Sequence, residues 1–222
     1  MYAIIPSGGK GKRFGNEIPK QYLKVNGKEL IAYTLEVFEK SEFVDEIIVA
    51  AQKDFFILLD EIKRNYGITK LAKVIEGGKE RQDSVYNALS SLTAENDDLV
   101  AVHDAARPLL PLNVLNSAAS SAKELGNSVV AMKARDTLVN ASTDELNYIN
   151  RSDIYYIQTP QIFRFGILKK AMDTAYEEKF AGTDESVLVN RLGEKIHFVE
   201  GAFENFKITT ISDFDLFTKL CR

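Results

Sequence analysis

Two rhythms of apolar and polar positions take turns along this chain, one of period two and one near 3.6. The short apolar run Ala3-Ile4-Ile5-Pro6 predicts a buried first strand. Over residues 30–38, Ile31, Leu35 and Phe38 fall at i, i+4 and i+7, the spacing of one helix face. Residues 46–51 read as a short β-branched strand. Asp54 is placed to cap a helix carrying Phe55, Leu58, Leu59 and Ile62, which stops at Gly67. Residues 73–75 read as strand, 83–92 as helix and 99–103 as a clear interior strand. Pro111 suits the first turn of a helix that runs to Leu125 and ends at Gly126; residues 128–132 are strand again. Further on, 164–179 and 184–192 read as helices, and 195–200 and 205–209 as strands. Ser212 and Asp215 have capping-box spacing for a last helix. This βαβα order predicts an α/β fold, a mostly parallel mixed sheet flanked by helices, in a single domain over residues 1–222.

Residues 134–157 break the alternation. Arg135 to Val139 and Tyr148 to Arg151 resemble two strands joined by a polar turn at 140–147. A hairpin inserted into an α/β domain has little core of its own. It is either a surface excursion or an arm that packs on a second subunit. The apolar residues at 138, 139, 148, 149, 154, 155 and 156 favour a dimerisation arm.

The first strand opens into Ser7-Gly8-Gly9-Lys10-Gly11-Lys12-Arg13-Phe14-Gly15, and the loop continues to Pro19-Lys20-Gln21. Glycines let backbone approach a ligand closely, and Lys10, Lys12, Arg13 and Lys20 add cations, a pattern suited to a nucleoside triphosphate. The P-loop spacing is absent. The dinucleotide fingerprint fails at Phe14, and Gln52 and Lys53 stand where that fingerprint wants an acid.

Composition narrows the field further. The 222 residues are 45% hydrophobic and 27% charged, an ordinary globular balance. A net charge of −4 argues against a nucleic-acid-binding surface, so the cations of the first loop are a local device for a small anion. Cys221 is the only cysteine, which excludes an internal disulfide. No basic segment with an apolar h-region opens the chain and no apolar run has the length of a membrane span, so a cytoplasmic protein is expected.

Two more loops follow strand ends, where open α/β sheets bind ligands. One is Gly77-Gly78-Lys79-Glu80-Arg81-Gln82-Asp83-Ser84; the other is His103-Asp104-Ala105-Ala106-Arg107-Pro108. Asp104, at the tip of a buried strand beside a triphosphate loop, is placed to hold Mg²⁺ through oxygen, or else caps a turn. His103 reads as a hydrogen-bonded structural residue, and Cys221 shows no sign of activation.

Together the runs PSGGKGKRFG…PKQYL, GGKERQDSV, HDAARP, RDT, TPQIF and ENFKIT, in this order, resemble the 2-C-methyl-D-erythritol 4-phosphate cytidylyltransferases over nearly the whole chain. The resemblance implies a Rossmann-like nucleotidyltransferase sheet, a protruding β-arm that makes a homodimer, dependence on Mg²⁺ and release of pyrophosphate. It assigns transition-state stabilisation to Arg13 and Lys20. Base and ribose contacts go to Gly78, Arg81, Ser84, Asp104 and Ala105, with the backbone of Pro6, Ser7, Gly8 and Gly9. Sugar-phosphate contacts go to Arg107, Thr137, Arg151, Thr159 and Lys207, with Thr137 and Arg151 reaching across from the partner's arm.

Three positions depart from the family pattern. Ser7 stands where a small apolar residue or alanine is usual, Lys79 replaces an acid beside the cytosine pocket, and Glu204 replaces an aspartate that touches the acceptor hydroxyls. A cytidylyltransferase for ribitol 5-phosphate shares most of these motifs, although Ala106 leans towards methylerythritol phosphate. Two readings of other classes stay open, a nucleotide-binding regulator that has lost catalysis and an NAD(P) oxidoreductase. Intact Arg13, Lys20 and Asp104 speak against the first, and Phe14 and Gln52 against the second.

Overall fold

The computed structural model describes residues 1–9, 18–142 and 146–221. Its centre is a seven-stranded sheet in the order β11-β7-β10-β6-β1-β4-β5. β1 (Tyr2–Pro6) lies between β4 (Glu46–Ala51) and β6 (Leu99–Val102), parallel to both, and β5 (Leu71–Glu76) extends the parallel half beyond β4. Ala3, Ile4 and Ile5, and the β4 run Ile47-Ile48-Val49-Ala50-Ala51, are buried on both faces, as expected where helices cover a parallel sheet on both sides.

α1 (Leu30–Lys40) lays Ile31, Leu35 and Phe38 on the sheet, and α4 (Leu112–Leu125) adds Leu115, Ala118 and Ala122 on the same side. α3 (Arg81–Ser90) and α5 (Phe165–Glu177) cover the other face with Val85, Leu89, Leu168 and Met172. Pro111 is the residue just before α4, and Gly126 ends that helix at φ +87°, the left-handed conformation that glycine adopts at least cost.

Several local expectations need correction. Asp54 caps nothing; it lies inside a 3₁₀ turn (Lys53–Phe55), and α2 (Phe56–Asn65) starts after it without a side-chain cap. Residues 205–209 are not a strand but leave a 3₁₀ turn (Phe203–Asn205) as irregular chain. The capping box of α7 (Ile211–Leu220) is Thr210 with Asp213, two residues before the predicted pair, because the Thr210 hydroxyl accepts from the Asp213 N–H. A short hairpin, β2 (Lys24–Val25) and β3 (Lys28–Glu29), turns at Asn26 and Gly27, both at positive φ.

The largest difference is β10 (Tyr155–Arg164). It runs through the middle of the sheet, antiparallel to β6 on one side and to β7 (Asn127–Lys133) on the other. Its pairing with β7 shifts register between Ile157 and Gln161, around Pro160, which has no N–H to give a ladder. β11 (Phe198–Glu200) closes the β7 edge. The predicted arm is present as β8 (Leu138–Asn140) paired antiparallel with β9 (Asn147–Ile149). Residues 155–157, expected in the arm, belong to β10 instead.

Candidate active site

The carboxyl ends of β1, β5 and β6 carry the three predicted loops and bring them together. Beyond β1, the Ser7 N–H donates to the Ala50 carbonyl at 2.7 Å, which continues the sheet by one bond before the glycines. Gly8 lies against the second loop, since a Cβ there would meet Ser84 Oγ at 3.1 Å and Gly77 Cα at 3.7 Å. Ser84 in turn shapes its own loop, accepting from the Gly78 N–H and donating to the Glu80 carbonyl, each at 3.1 Å. A Cβ on Gly78 would fall 2.0 Å from Asp83 Cβ, so only glycine fits there. Lys79 is exposed.

Asp104 is the hub of the third loop. Its Oδ1 accepts from Arg81 Nε at 2.8 Å and its Oδ2 from Lys207 Nζ at 2.7 Å, with Arg107 Nε 3.9 Å away. Burial alone would raise its pKa; the adjacent Arg81 and Lys207 charges overcome this and hold it well below the usual carboxylate range. Arg107 is anchored by a 2.6 Å bond from Nη1 to the Asn205 carbonyl, and burial lowers its pKa. Its buried Nε has no hydrogen-bond partner among the described residues.

Thr159 is brought in by β10. Its hydroxyl accepts from the Asp104 N–H at 3.1 Å and pairs with His103 Nδ1 at 3.0 Å. His103 Nε2 faces the Arg107 carbonyl at 3.1 Å, which can only accept, so Nε2 carries the proton and Nδ1 accepts from Thr159. Burial drives the His103 pKa down to about 4, so the ring is neutral and structural, as its position in the sequence implies. Ala105 is buried, and its carbonyl accepts from the Thr34 hydroxyl at 3.0 Å.

Lys20 sits in a 3₁₀ turn (Lys20–Tyr22) and its Nζ donates to the Ile208 carbonyl, one residue from Lys207. Arg13 lies outside the described residues, as do Lys10 and Lys12. Arg151, exposed at the base of the arm, donates from Nη1 to the Arg135 carbonyl of its own chain at 2.7 Å, and Thr137 is exposed nearby. Glu204 is exposed on a groove of about 980 Å³ between the end of β7, the start of β10 and β11, with Arg135, Tyr155, Phe198 and Phe203. The structure therefore gathers Pro6 to Gly9, Lys20, Gly78, Arg81, Ser84, Asp104, Ala105, Arg107, Thr159 and Lys207, with Glu204 one residue from the Asn205 that anchors Arg107, while Thr137 and Arg151 stand apart at the arm.

Glu185 escapes the sequence reading. It opens α6 (Glu185–Arg191), is 1% exposed, and takes Arg81 Nη1 and Nη2 at 2.7 and 2.9 Å. Its one signal in the sequence is its place behind Asp184, whose carboxylate caps the helix by accepting from the Val187 N–H. Among the described residues no cluster of three or more His, Cys, Asp or Glu could hold a metal. Asp104 is nevertheless ionised and each of its oxygens has a second lone pair. It is the residue that would hold Mg²⁺, through oxygen, and the ion would there offset phosphate charge.

The sequence matches the profile described as IspD, 2-C-methyl-D-erythritol 4-phosphate cytidylyltransferase, over residues 1–220. The chain belongs to this family. An enzyme of that name from Geotalea uraniireducens is 41% identical over 217 residues, 95% of this chain and 92% of its own. A 4-diphosphocytidyl-2C-methyl-D-erythritol synthase from Anaerococcus prevotii superposes with a TM-score of 0.86 at 27% identity, covering 100% of this chain and 96% of that one. The Francisella tularensis member gives 0.81 at 32% identity over 98% of each chain. The sheet is accordingly the Rossmann-like nucleotidyltransferase fold. Among the described residues no helix is long and apolar enough to cross a membrane.

Proposed function

We propose that this chain transfers CMP from CTP to 2-C-methyl-D-erythritol 4-phosphate and releases pyrophosphate, as a cytoplasmic homodimer. The observation that carries the reading is the Asp104 hub. An ionised carboxylate is held among Arg81, Arg107 and Lys207 at the end of the central strands, across from the glycine loop. Cations in that excess suit a triphosphate meeting a phosphate monoester. The relatives at 41% and 38% identity carry the methylerythritol name, which does not favour ribitol 5-phosphate.

In the reaction, a phosphate oxygen of the acceptor attacks the α-phosphorus of CTP in line, forming a new P–O bond as the α–β bridge breaks. Such a transfer needs positioning and charge stabilisation more than a nucleophilic side chain. Pro6 to Gly9, Gly78, Arg81, Ser84 and Ala105 line the nucleotide side. Arg13 and Lys20 stabilise the charge that gathers on the α-phosphate, Lys20 leaving the Ile208 carbonyl to do so. Lys207 and Arg107 face the acceptor's phosphate, and Glu204 its hydroxyls. Thr159 supports Asp104 rather than offering a free hydroxyl. Mg²⁺ on Asp104, when bound, neutralises charge on the triphosphate and on the leaving pyrophosphate.

The arm supports the dimer. Val139, Leu146, Tyr148 and Ile149 are exposed on it, a hairpin too small to be stable alone. Docking on a second copy buries them and brings Thr137 and Arg151 to the partner's acceptor site, beside the groove that holds Glu204. The decisive experiment is pyrophosphate release by purified protein given CTP with methylerythritol phosphate or ribitol 5-phosphate. Faster turnover of ribitol 5-phosphate would reverse the acceptor assignment, and release with neither would end the reading.

A further inference from the structure

The carbonyls of Ser7, Gly8 and Gly9 are pinned one after another by two glutamine side chains. Gln21 Nε2 donates to the Ser7 carbonyl at 2.7 Å and to the Gly9 carbonyl at 3.1 Å. Gln52 Nε2, arriving from the end of β4, donates to the Gly8 carbonyl at 3.0 Å. Gln21 is buried, and its neighbour Tyr22 fixes the turn that carries it. The Tyr22 hydroxyl takes the Ser7 hydroxyl at 2.8 Å, and its ring stacks on Phe55 at 4.1 Å. The clamp is therefore tied to two separate elements, the Lys20–Tyr22 turn and the chain leaving the end of β4.

In a trans peptide the C=O of one residue and the N–H of the next point opposite ways. Holding the Ser7 carbonyl on Gln21 turns the Gly8 N–H away from Gln21, and holding the Gly8 carbonyl on Gln52 turns the Gly9 N–H away from Gln52. Among the described residues neither N–H meets an acceptor. Glycine has no side chain to fix its peptide orientation, and a flipped peptide would turn a carbonyl, with its partial negative charge, on an anionic nucleotide.

We propose that Gln21 and Gln52 are positioning residues for CTP, which hold the glycine loop's carbonyls back so that its N–H groups are offered to the nucleotide. The inference rests on the cytidylyltransferase reading. It gives Gln52 a role that excluding a dinucleotide site leaves unexplained, and gives Gln21 one distinct from the charge of Lys20.

The test is calorimetric titration of CTP without acceptor, with steady-state kinetics for both substrates, on wild type, Gln52→Met and Gln21→Met. Methionine keeps the length and removes the donor. Each variant is expected to weaken CTP binding by roughly 5- to 10-fold, the scale of one mis-set hydrogen bond, with the acceptor's KM within about twofold of wild type. Gln52→Met, less buried, keeps its Tm and decides alone should Gln21→Met not fold. An unchanged CTP affinity in Gln52→Met, or equal losses for both substrates, overturns the clamp. A wild type that binds no CTP overturns the functional reading itself, so the two failures are distinct.

Discussion

Glu185 grips Arg81 through both carboxylate oxygens while the same guanidinium gives its Nε to Asp104, so one arginine is strung between two buried acids. The opposed charges of Glu185 and Asp104 raise the Arg81 pKa even though burial pulls it down. Removing Glu185 leaves that cation half-paired beside the site. Glu185→Ala should cost about 3–5 kcal/mol, the range for breaking a buried pair, read as the urea midpoint multiplied by its slope. A loss under about 1 kcal/mol would mean that water replaces the carboxylate without cost.

Lys20→Ala should lower kcat by roughly 10²-fold with little change in Tm, the scale of one lost transition-state donor. Arg13→Ala is expected to behave alike. A rise in KM alone, with kcat intact, would show that these cations hold ground and transition states equally.

Acid should unfold the protein in two stages. The pKa of His103 falls from 6.5 to about 4 on folding, so between those values the unfolded chain binds more protons than the native one. Its contribution is complete above pH 6.5 and is lost as the pH drops towards 4. Asp104, whose pKa is also depressed, adds stability above the ordinary carboxylate range that goes at still lower pH. Thermal midpoints from pH 8 to 4 should begin to fall near 6.5, and His103→Asn should flatten that first stage. A flat wild-type profile down to pH 4.5 would contradict a buried neutral ring.

Gly78→Ala places a methyl group 2.0 Å from Asp83 Cβ, at the start of α3 where the backbone is tied by the Glu80–Asp83 capping box. Loss of CTP turnover together with a lowered Tm is expected. An alanine variant with wild-type kinetics would show that the loop yields.

The arm can be tested by mixing defective chains. If Arg151 serves the neighbouring site, an Arg151→Ala chain mixed with a Lys20→Ala chain forms heterodimers with one intact site, and activity partly returns. If the bond to the Arg135 carbonyl reflects a role within its own chain, every site keeps one defect and activity stays at the single-mutant level.

Strands β1, β4 and β6 were legible because each is a nearly unbroken apolar run, whereas β5 carries Lys73 in its middle and reads as strand only over 73–75. Residues 46–51 match β4 end to end, and Ile31, Leu35 and Phe38 face the core as their spacing requires. β10 was not legible, since the polar stretch Gln158-Thr159-Pro160-Gln161 and its proline argue against a central strand. Those polar groups pair with side chains far off in sequence. Thr159 meets His103, and Gln158 accepts from Asn205 at 3.1 Å. The Asn26-Gly27 hairpin carries its dipeptide signature openly, but periodicity passes over strands of two residues. At the site, the motif residues Arg81, Asp104 and Lys207 do meet. Glu185 stayed hidden because a lone glutamate at a helix start resembles any solvated acid until the fold buries it.

The position of β10 also bears on how the chain is made. β1, β4, β5 and β6 all lie within the first 102 residues, and the strand that covers the far edge of β6 is not complete until Arg164. At ordinary rates of synthesis the ribosome needs roughly 3–12 s to add the intervening segment. Through that interval Val100, Ala101 and Val102 present a bare apolar edge, the kind that pairs with neighbouring chains. A nascent chain halted between residues 110 and 150 is thus an aggregation hazard, and a fragment ending there should collect in inclusion bodies.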